Sequence, residues 1–188
     1  MSSESITMEK TNNKSWYLLI TAVALAIDQL TKYWVAQTLG VGPQGEIVVI
    51  KGFFSLTYTE NRGIAFGMLG ESDVRWLLVA ISVTAIFIVV YYLMRAPASS
   101  RLLMWSLALL AAGISGNLVD RIRLGKVIDF LEFYYRDHYF PVFNIADTVI
   151  TIGAGLMAIE LFSTPQAEKP KATPEEILEP RSEAEVEN

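Results

Sequence analysis

The sequence predicts an all-α membrane protein: four transmembrane helices, with a small β-sheet cradle and an interfacial aromatic segment. Of the 188 residues, 52% are hydrophobic and only 19% are charged, whereas about a quarter would be charged in a typical soluble domain. The apolar residues are gathered into four runs, each close to the roughly 20 residues that a bilayer core requires. The chain has no cysteine, which excludes disulfides, thiolate metal sites and cysteine nucleophiles.

The first run, residues 16–36, contains two charged residues, Asp28 and Lys32. Their i, i+4 spacing places them on one face of a helix, where they can form a pair near the helix end with Lys32 reaching to the surface. A cleaved secretory signal is an alternative for this run, because "ALA" at 24–26 is typical of a cleavage site. The apolar character resumes after Lys32, which favours a retained helix.

The connection at 38–74 predicts two short strands, "EIVVI" and "FFSLTYTE". In the second strand apolar and polar residues alternate, as they do in a half-buried sheet. Lys51 and Gly52 between the strands predict a tight turn. The segment "ENRGIAFGMLG" follows, and its three glycines allow the backbone to bend sharply or to approach a ligand.

The second and third runs, residues 76–94 and 102–119, contain no charged residue and are joined by the short segment "RAPASSR". In the third run, i, i+3, i+4, i+7 spacing gives a stripe of small and polar residues that ends beside Arg121. Small residues in such a stripe allow another helix to approach closely, but packing does not explain its polar members. The stripe consists of Gly113, Gly116, Asn117 and Asp120.

The fourth run, residues 142–162, has a polar face of its own. Asn144, Asp147, Thr148 and Thr151 share that face by the same spacing. A polar face on a membrane helix needs a polar partner, and Asp129 is the nearest candidate in the sequence. It lies in an aromatic connection, residues 120–141, that predicts an interfacial segment.

These runs define a membrane domain at 16–162, between a polar leader at 1–15 and an acidic tail at 163–188 that we expect to be disordered. Four spans place both termini on the same side of the membrane. Lysines and arginines flank both faces in similar numbers, so the positive-inside rule does not determine the orientation.

Buried carboxylates in the membrane segments indicate function, because an ionised Asp at the bilayer centre costs about 2.5–3.5 kcal/mol on insertion scales. Two carboxylates held together cannot readily both ionise, so a pair of them shares a proton near neutral pH. The ionised member can then activate water while the protonated member polarises a carbonyl. A pairing of Asp129 with Asp147 therefore predicts amide hydrolysis without a covalent intermediate.

Two other classes of function also use buried acids. A small proton-coupled transporter could use Asp28 and Asp147 as a relay, and internal repeats or a polar stripe through the full membrane depth would favour it. A divalent-metal site of clustered carboxylates would make the activity sensitive to chelators.

Five motifs in order along residues 16–162 resemble the bacterial lipoprotein signal peptidases, the type II signal peptidases. They are "DQLTK" at 28–32, "NRGIAFG" at 61–67, "GISGNLVDR" at 113–121, "VIDF" at 127–130 and "FNIAD" at 143–147. The chain departs from the family in Ile64, where Ala is common, and in its longer Glu-rich tail.

The resemblance implies a four-helix aspartyl endopeptidase that removes the signal peptide from diacylglyceryl-modified prolipoproteins, cutting before the lipidated cysteine. Asp129 and Asp147 would be the catalytic pair. The other matching positions would shape the pocket and hold the substrate; they are Asp28, Lys32, Asn61, Gly63, Gly113, Asn117, Asp120, Arg121, Asn144 and Ala146.

The resemblance also implies a bacterial inner-membrane location with both termini cytoplasmic and the site and cradle near the extracytoplasmic face. Prolipoproteins and membrane lipids would be its partners. No nucleic acid, cofactor or metal is implied, and a single four-helix bundle would suffice, so we expect a monomer. The strands at 47–59 and the aromatic segment at 130–140 would cover the substrate from above.

Overall fold

The computed structural model describes residues 14–40, 45–63, 71–97 and 99–163. Within these residues, four helices are long and apolar enough to cross a membrane. The predicted leader at 1–15 and tail at 163–188 lie outside the described residues, except at their inner ends. In chain order the elements are α1 Ser15–Thr38, β1 Ile47–Ile50, β2 Phe54–Asn61, α2 Glu71–Arg95, α3 Arg101–Leu124, β3 Val127–Tyr135, β4 His138–Tyr139 and α4 Ile145–Ser163.

Helix α3 is the central helix and packs against the other three. It runs parallel to α1, because the rings of Tyr17 and Trp105 meet near the two N-termini and the Thr21 hydroxyl donates to the Ala108 carbonyl at 3.0 Å further along. It runs antiparallel to α4, since Gly113 faces the start of α4 and Gly153 faces the first half of α3. These contacts explain why α3 is the most buried of the four helices.

Helix α2 returns antiparallel to α3 through the short loop that the sequence predicts. At the sheet end of the bundle, Arg75 of α2 donates from Nε to the Arg121 carbonyl at 2.9 Å and from a terminal nitrogen to the Ile122 carbonyl at 2.8 Å. At the opposite end, the Lys14 ammonium donates to the Met94 carbonyl at 2.7 Å. The start of α1, the α2–α3 loop and the end of α4 therefore share one end of the bundle, and the sheet lies at the other.

The four strands form one antiparallel sheet in the order β1-β2-β3-β4. The turn between β1 and β2 contains Gly52 at φ +81, as the sequence predicts. Val35 of α1 and Leu39, the residue that follows this helix, pack with Ile128 and Phe130 of β3, so the sheet lies against the end of the bundle.

The aromatic connection differs in form from its sequence-based description as an interfacial segment. Residues 127–135 form an interior strand of the sheet, with β2 on one side and β4 on the other. Their first four side chains are all buried, since they contact both the sheet and the helix bundle. Asp129 therefore projects from a strand paired with Thr59 and has a fixed register.

The last span also begins later than its apolar run. Phe143 is still extended and pairs with Leu131, donating its N–H to that carbonyl at 3.2 Å. Helix α4 begins at Ile145, and α3 continues to Leu124, where Gly125 at φ +75 ends it. Both boundaries place polar residues at the sheet end of the bundle.

Candidate active site

Asp147 lies in the first turn of α4, where a reciprocal cap determines its position. The Asn144 side-chain oxygen accepts the Asp147 N–H at 2.9 Å, and the Asp147 carboxylate accepts the Asn144 N–H at 3.3 Å. This is the geometry of a capping box, in which the N-cap residue and the third helical residue satisfy each other's backbone donors. The local sequence "NIAD" thus fixes one of the two predicted catalytic carboxylates.

Asp129 accepts hydrogen bonds on both of its oxygens. The Asn144 amide donates to Oδ1 at 2.6 Å, and the Asn61 amide donates to Oδ2 at 2.9 Å. Asn61 is held in turn by the N–H of Gly63, which reaches its side-chain oxygen at 2.9 Å. Asn144 therefore contacts both Asp129 and Asp147, and the pair is brought together through one side chain.

Lys32 is 1% exposed and lies beneath this pair. Its ammonium contacts Asp28 Oδ2 at 3.0 Å, Asp120 Oδ2 at 2.9 Å and Asn117 Oδ1 at 3.0 Å. The expected pairing with Asp28 is confirmed, but the expectation that Lys32 reaches the surface is wrong. Moving this ammonium to the surface would leave two buried carboxylates without their cation, which is destabilising.

Asn117 connects the lysine cluster to the predicted catalytic pair. Its side-chain NH₂ donates to Asp147 Oδ1 at 2.8 Å, while its oxygen accepts from Lys32 and, at 3.2 Å, from Asn144. The predicted polar stripe of α3 thus faces the polar face of α4. Packing accounts for the glycines of the stripe, and this network accounts for its polar members.

Asp28 links α1 to the start of α4. Its Oδ1 accepts the N–H of Ala146 at 2.8 Å, which satisfies a donor that a helix start leaves without an intrahelical partner. A residue of α1, distant in sequence, therefore helps to fix the turn of α4 that carries Asp147. A cleaved signal sequence could not supply these contacts, which favours α1 as a permanent part of the fold.

Gln29 belongs to the network but was not identified from the sequence. Its NH₂ lies 3.0 Å from Asp120 Oδ1, 3.2 Å from Asp28 Oδ2 and 3.2 Å from the Gly116 carbonyl. The available signal was its i, i+3 spacing to Lys32, which places both polar side chains on adjoining strips of one helix.

Gly116 and Gly113 allow α3 to approach α4 and α1. A Cβ on Gly116 would lie 2.5 Å from Asp28 Oδ2 and 3.2 Å from the Ala146 Cβ. A Cβ on Gly113 would overlap the Ala146 carbonyl and the side chain of Ile150. Gly113 therefore belongs to the helix contact and lies outside the hydrogen-bonded network.

The charges of the site do not balance when every acid is ionised. Asp28, Asp120, Asp129 and Asp147 are accompanied by Lys32 and by half-buried Arg121, whose charge interacts with the last three of these acids. Burial raises the pKa of Asp129 to about 6; the Asn61 hydrogen bond opposes this rise, and the Asp147 charge adds to it. A site with excess negative charge favours one proton shared by the pair.

Two clefts reach the pair from outside and share Val142 in their walls. One, of about 430 Å³, contains Asp129 with Thr59, Glu60, Asn61, Arg62 and Gly63. The other, of about 390 Å³, contains Asp147 with mainly apolar residues along the start of α4. A chain entering between them would have one carboxylate on each side.

The geometry fits general acid–base chemistry on a peptide bound between the two clefts. Hydrogen bonds hold the two carboxyl groups, one on a strand and one at the start of a helix, and a cleft lies beside each. Among the described residues, no group of three or more His, Cys, Asp or Glu side chains could hold a metal ion. Fold and site together define a multi-pass membrane protein with a paired-carboxylate centre beneath a small sheet.

Known proteins are similar to this chain in sequence and in fold. The sequence model of the family described as Signal peptidase (SPase) II matches residues 20–163. The lipoprotein signal peptidase of Symbiobacterium thermophilum is 44% identical over 77% of this chain and 92% of its own length, and that of Clostridium tetani is 41% identical over 76% and 89%. A bacterial membrane enzyme solved by the in meso method at 2.3 Å resolution superposes with a TM-score of 0.71 at 31% identity, covering 85% of this chain and 94% of that one.

The chain belongs to the signal peptidase II family. The resemblance inferred from the five motifs is therefore confirmed, as is the prediction of four spanning helices with a small antiparallel sheet. The chain is a multi-pass bacterial membrane protein of a peptidase family. The roles of individual residues remain predictions.

Proposed function

We propose that this protein is an aspartyl endopeptidase that removes the signal peptide from diacylglyceryl-modified prolipoproteins, cutting immediately before the lipidated cysteine. Membership of the signal peptidase II family supports the substrate class. The observation that carries the catalytic type is the contact of Asn144 with both Asp129 and Asp147. This one residue contacts both acids, and each acid lines one of the two clefts.

The two carboxyl groups have different surroundings, which suggests different roles. Asp129 is 2% exposed and its raised pKa suits the member that holds the proton at rest. Asp147 lies at a helix N-terminus, where backbone N–H groups favour an anion. Asp147 would then be the general base and Asp129 the general acid.

The reaction would proceed in two steps. In the first, Asp147 takes a proton from water, the water oxygen bonds to the carbonyl carbon before the cysteine, and Asp129 gives its proton to the carbonyl oxygen. In the second, the tetrahedral diol collapses, the C–N bond breaks and the amine receives the proton from Asp147. Asp129 recovers a proton from a diol hydroxyl, so both carboxyl groups return to their initial states.

The surroundings of the pair suit a substrate that remains anchored in lipid. The apolar cleft beside Asp147 suits acyl chains or the hydrophobic part of a signal peptide. The more polar cleft beside Asp129 suits the first residues of the mature protein. Arg121 is half-buried and its charge interacts with both carboxylates; in this proposal it would bind a substrate carbonyl.

The test is cleavage by the purified protein of one prolipoprotein in two forms, with and without diacylglycerol on its cysteine. We expect the modified form to be cut and mass spectrometry to find a product beginning with the lipidated cysteine. Equal cleavage of both forms, or a cut at another bond, would refute the proposed specificity.

A further inference from the structure

In space, Asn117 lies between Lys32 and the catalytic pair. We propose that Lys32 is a positioning residue that locks the Asn117 side-chain amide with its NH₂ group toward Asp147. The inference rests on the proposed function of Asp147 and adds to it a specific task for a lysine on another helix. Lys32 would act through Asn117 and not through the substrate.

The orientation of the Asn117 amide is decided by three neighbours. Its oxygen lies 3.0 Å from the Lys32 ammonium and 3.2 Å from the Asn144 NH₂, and its nitrogen lies 2.8 Å from Asp147 Oδ1. An ammonium can only donate hydrogen bonds and an ionised carboxylate can only accept them. A flipped amide would oppose donor to donor at two contacts and acceptor to acceptor at the third.

Lys32 is itself unable to turn away. Its other contacts are the carboxylates of Asp28 and Asp120 at 3.0 and 2.9 Å, so three donors meet three acceptors. Gln29 donates to both of these carboxylates and keeps them facing the lysine. The ion cluster of α1 and α3 therefore fixes the direction of the hydrogen bond that Asn117 donates to the Asp147 carboxylate in α4.

Loss of the lock should lower kcat, and it should change KM little. Neither Lys32 nor Asn117 lines the clefts that contain Asp129 and Asp147. Without the lock, only the Asn144 NH₂ and the Asp147 carboxylate hold the Asn117 amide in this orientation, so its hydrogen bond to Asp147 is weaker and stabilises the ionised carboxylate less.

A decisive variant must remove the ammonium without changing the local charge. The charged groups around Asp147 are Lys32 and Asp28 of α1, Asp120 and Arg121 of α3, and Asp129 of β3. The double variant Lys32→Met/Asp120→Asn deletes one positive and one negative charge, so the net charge of the lysine cluster is unchanged. The single variant Asp120→Asn controls for the loss of that acid, since it keeps the lysine and its bond to Asn117, and the wild type is the reference of equal net charge.

Both variants and the wild type are assayed on the diacylglyceryl-modified prolipoprotein across pH 5 to 9, after thermal unfolding has shown that each is folded. We expect the double variant to have a kcat roughly 10- to 100-fold below that of Asp120→Asn, because a carboxylate in a buried site loses a donor. Its KM should change by less than about threefold, and the acid limb of its kcat profile should move to higher pH than in either reference protein.

Three results would overturn the proposal in distinguishable ways. If the wild type does not cleave this substrate, the proposed function fails and the inference with it. If the wild type cleaves but the double variant matches Asp120→Asn in kcat and in its acid limb, only the inference fails. If the double variant does not fold, Lys32→Arg takes its place in the test. Arginine also only donates hydrogen bonds, so this variant should keep the acid limb of the wild-type kcat profile. A displaced acid limb would contradict the lock.

Discussion

Asn144 has both a donor and an acceptor group in use within the site. Its oxygen caps α4 at the Asp147 N–H, and its NH₂ contacts Asp129, Asn117 and the Ile128 carbonyl. An aspartate here would oppose the Asp129 carboxylate, and an apolar residue would leave the start of α4 without its cap. A single side-chain amide therefore couples the geometry of the two carboxyl groups.

The raised pKa of Asp129 makes the stability of the protein dependent on pH. In the unfolded chain the carboxyl titrates near pH 4, whereas in the fold burial moves its pKa to about 6. The native state therefore binds more protons between these values, and stability is lost as pH rises through about 6. At pH 7 the ionised group costs on the order of 3 kcal/mol of folding free energy.

Asp129→Asn removes this dependence. We expect the unfolding temperature of the variant, relative to wild type, to rise between pH 4 and pH 7 and then to level off. Differential scanning fluorimetry in detergent measures it. Asp137→Asn, which removes an exposed carboxylate from the β3–β4 turn, is the matched control. A difference between Asp129→Asn and wild type that stays constant with pH would contradict the account.

Gly63 and Gly52 both have left-handed backbones, at φ +75 and +81, but different surroundings. A Cβ on Gly63 would overlap the side chain of Leu78, whereas a Cβ on Gly52 would meet nothing within 4 Å. Gly63 also holds Asn61, which donates to Asp129. We expect Gly63→Ala to lower kcat by roughly tenfold, since one hydrogen bond to the acid is disturbed.

Gly52→Ala is the control for backbone strain alone. It should reduce stability by about 1 kcal/mol and leave kcat at the wild-type value. Steady-state cleavage rates with thermal unfolding of both variants check the prediction. Equal losses of kcat in the two variants would mean that strain, and not the position of Asn61, controls the rate.

At the scale of the elements, the site depends on how closely α3 approaches α1 and α4. Gly116 lies where Asp28 reaches across to the Ala146 N–H, and only a residue without a Cβ leaves space for that carboxylate. Asp28 is held by Lys32, Gln29 and Ala146, so it cannot move aside without breaking other bonds. The helix contact and the polar network therefore depend on the same glycine.

Gly116→Ala should destabilise the protein by about 1–3 kcal/mol, the usual range for overpacking a core. Cleavage activity should fall with it, because Asp28 no longer fixes the start of α4. Gly155→Ala is the control, since Gly155 is an exposed α4 glycine whose added Cβ would meet nothing within 4 Å. Unfolding temperatures that fall equally for both variants would show that the close approach at Gly116 has no special importance.

The elements differ in how well the sequence predicts them. The helices follow from long apolar runs, and β1 and β2 follow from alternation and the turn at Gly52. For β3 the sequence predicts only an aromatic interfacial segment, because the first four residues of this strand are all buried and do not alternate. The polar stripes of α3 and α4 were predicted from spacing, but the contact of Lys32 with Asp120 depends on helix packing that no local pattern contains.

At the scale of the whole molecule, the buried charges of the described residues lie at the sheet end of the bundle. The opposite end has an apolar core that includes Tyr17, Leu93, Met104 and Leu107, with Ser106 as a buried polar residue. A relay for transport would need polar groups through the full depth of the membrane. The distribution instead suits chemistry performed near one membrane surface.

The proposed orientation places the sheet outside the cytoplasm and both termini inside. The absence of cysteine allows single-cysteine labelling without a prior substitution. In spheroplasts, an impermeant maleimide should label Asp137→Cys in the β3–β4 turn directly. It should label Ser99→Cys in the α2–α3 loop only after permeabilisation. The reverse pattern would place the site on the cytoplasmic side.

Cleavage of the modified prolipoprotein by Asp129→Asn and Asp147→Asn tests the catalytic pair directly. We expect each variant to fold and bind the substrate but to cut it at least about 1,000-fold more slowly than wild type, because neither carboxyl group can perform both proton transfers. Cleavage by either variant at a rate near that of the wild type would contradict the catalytic pair.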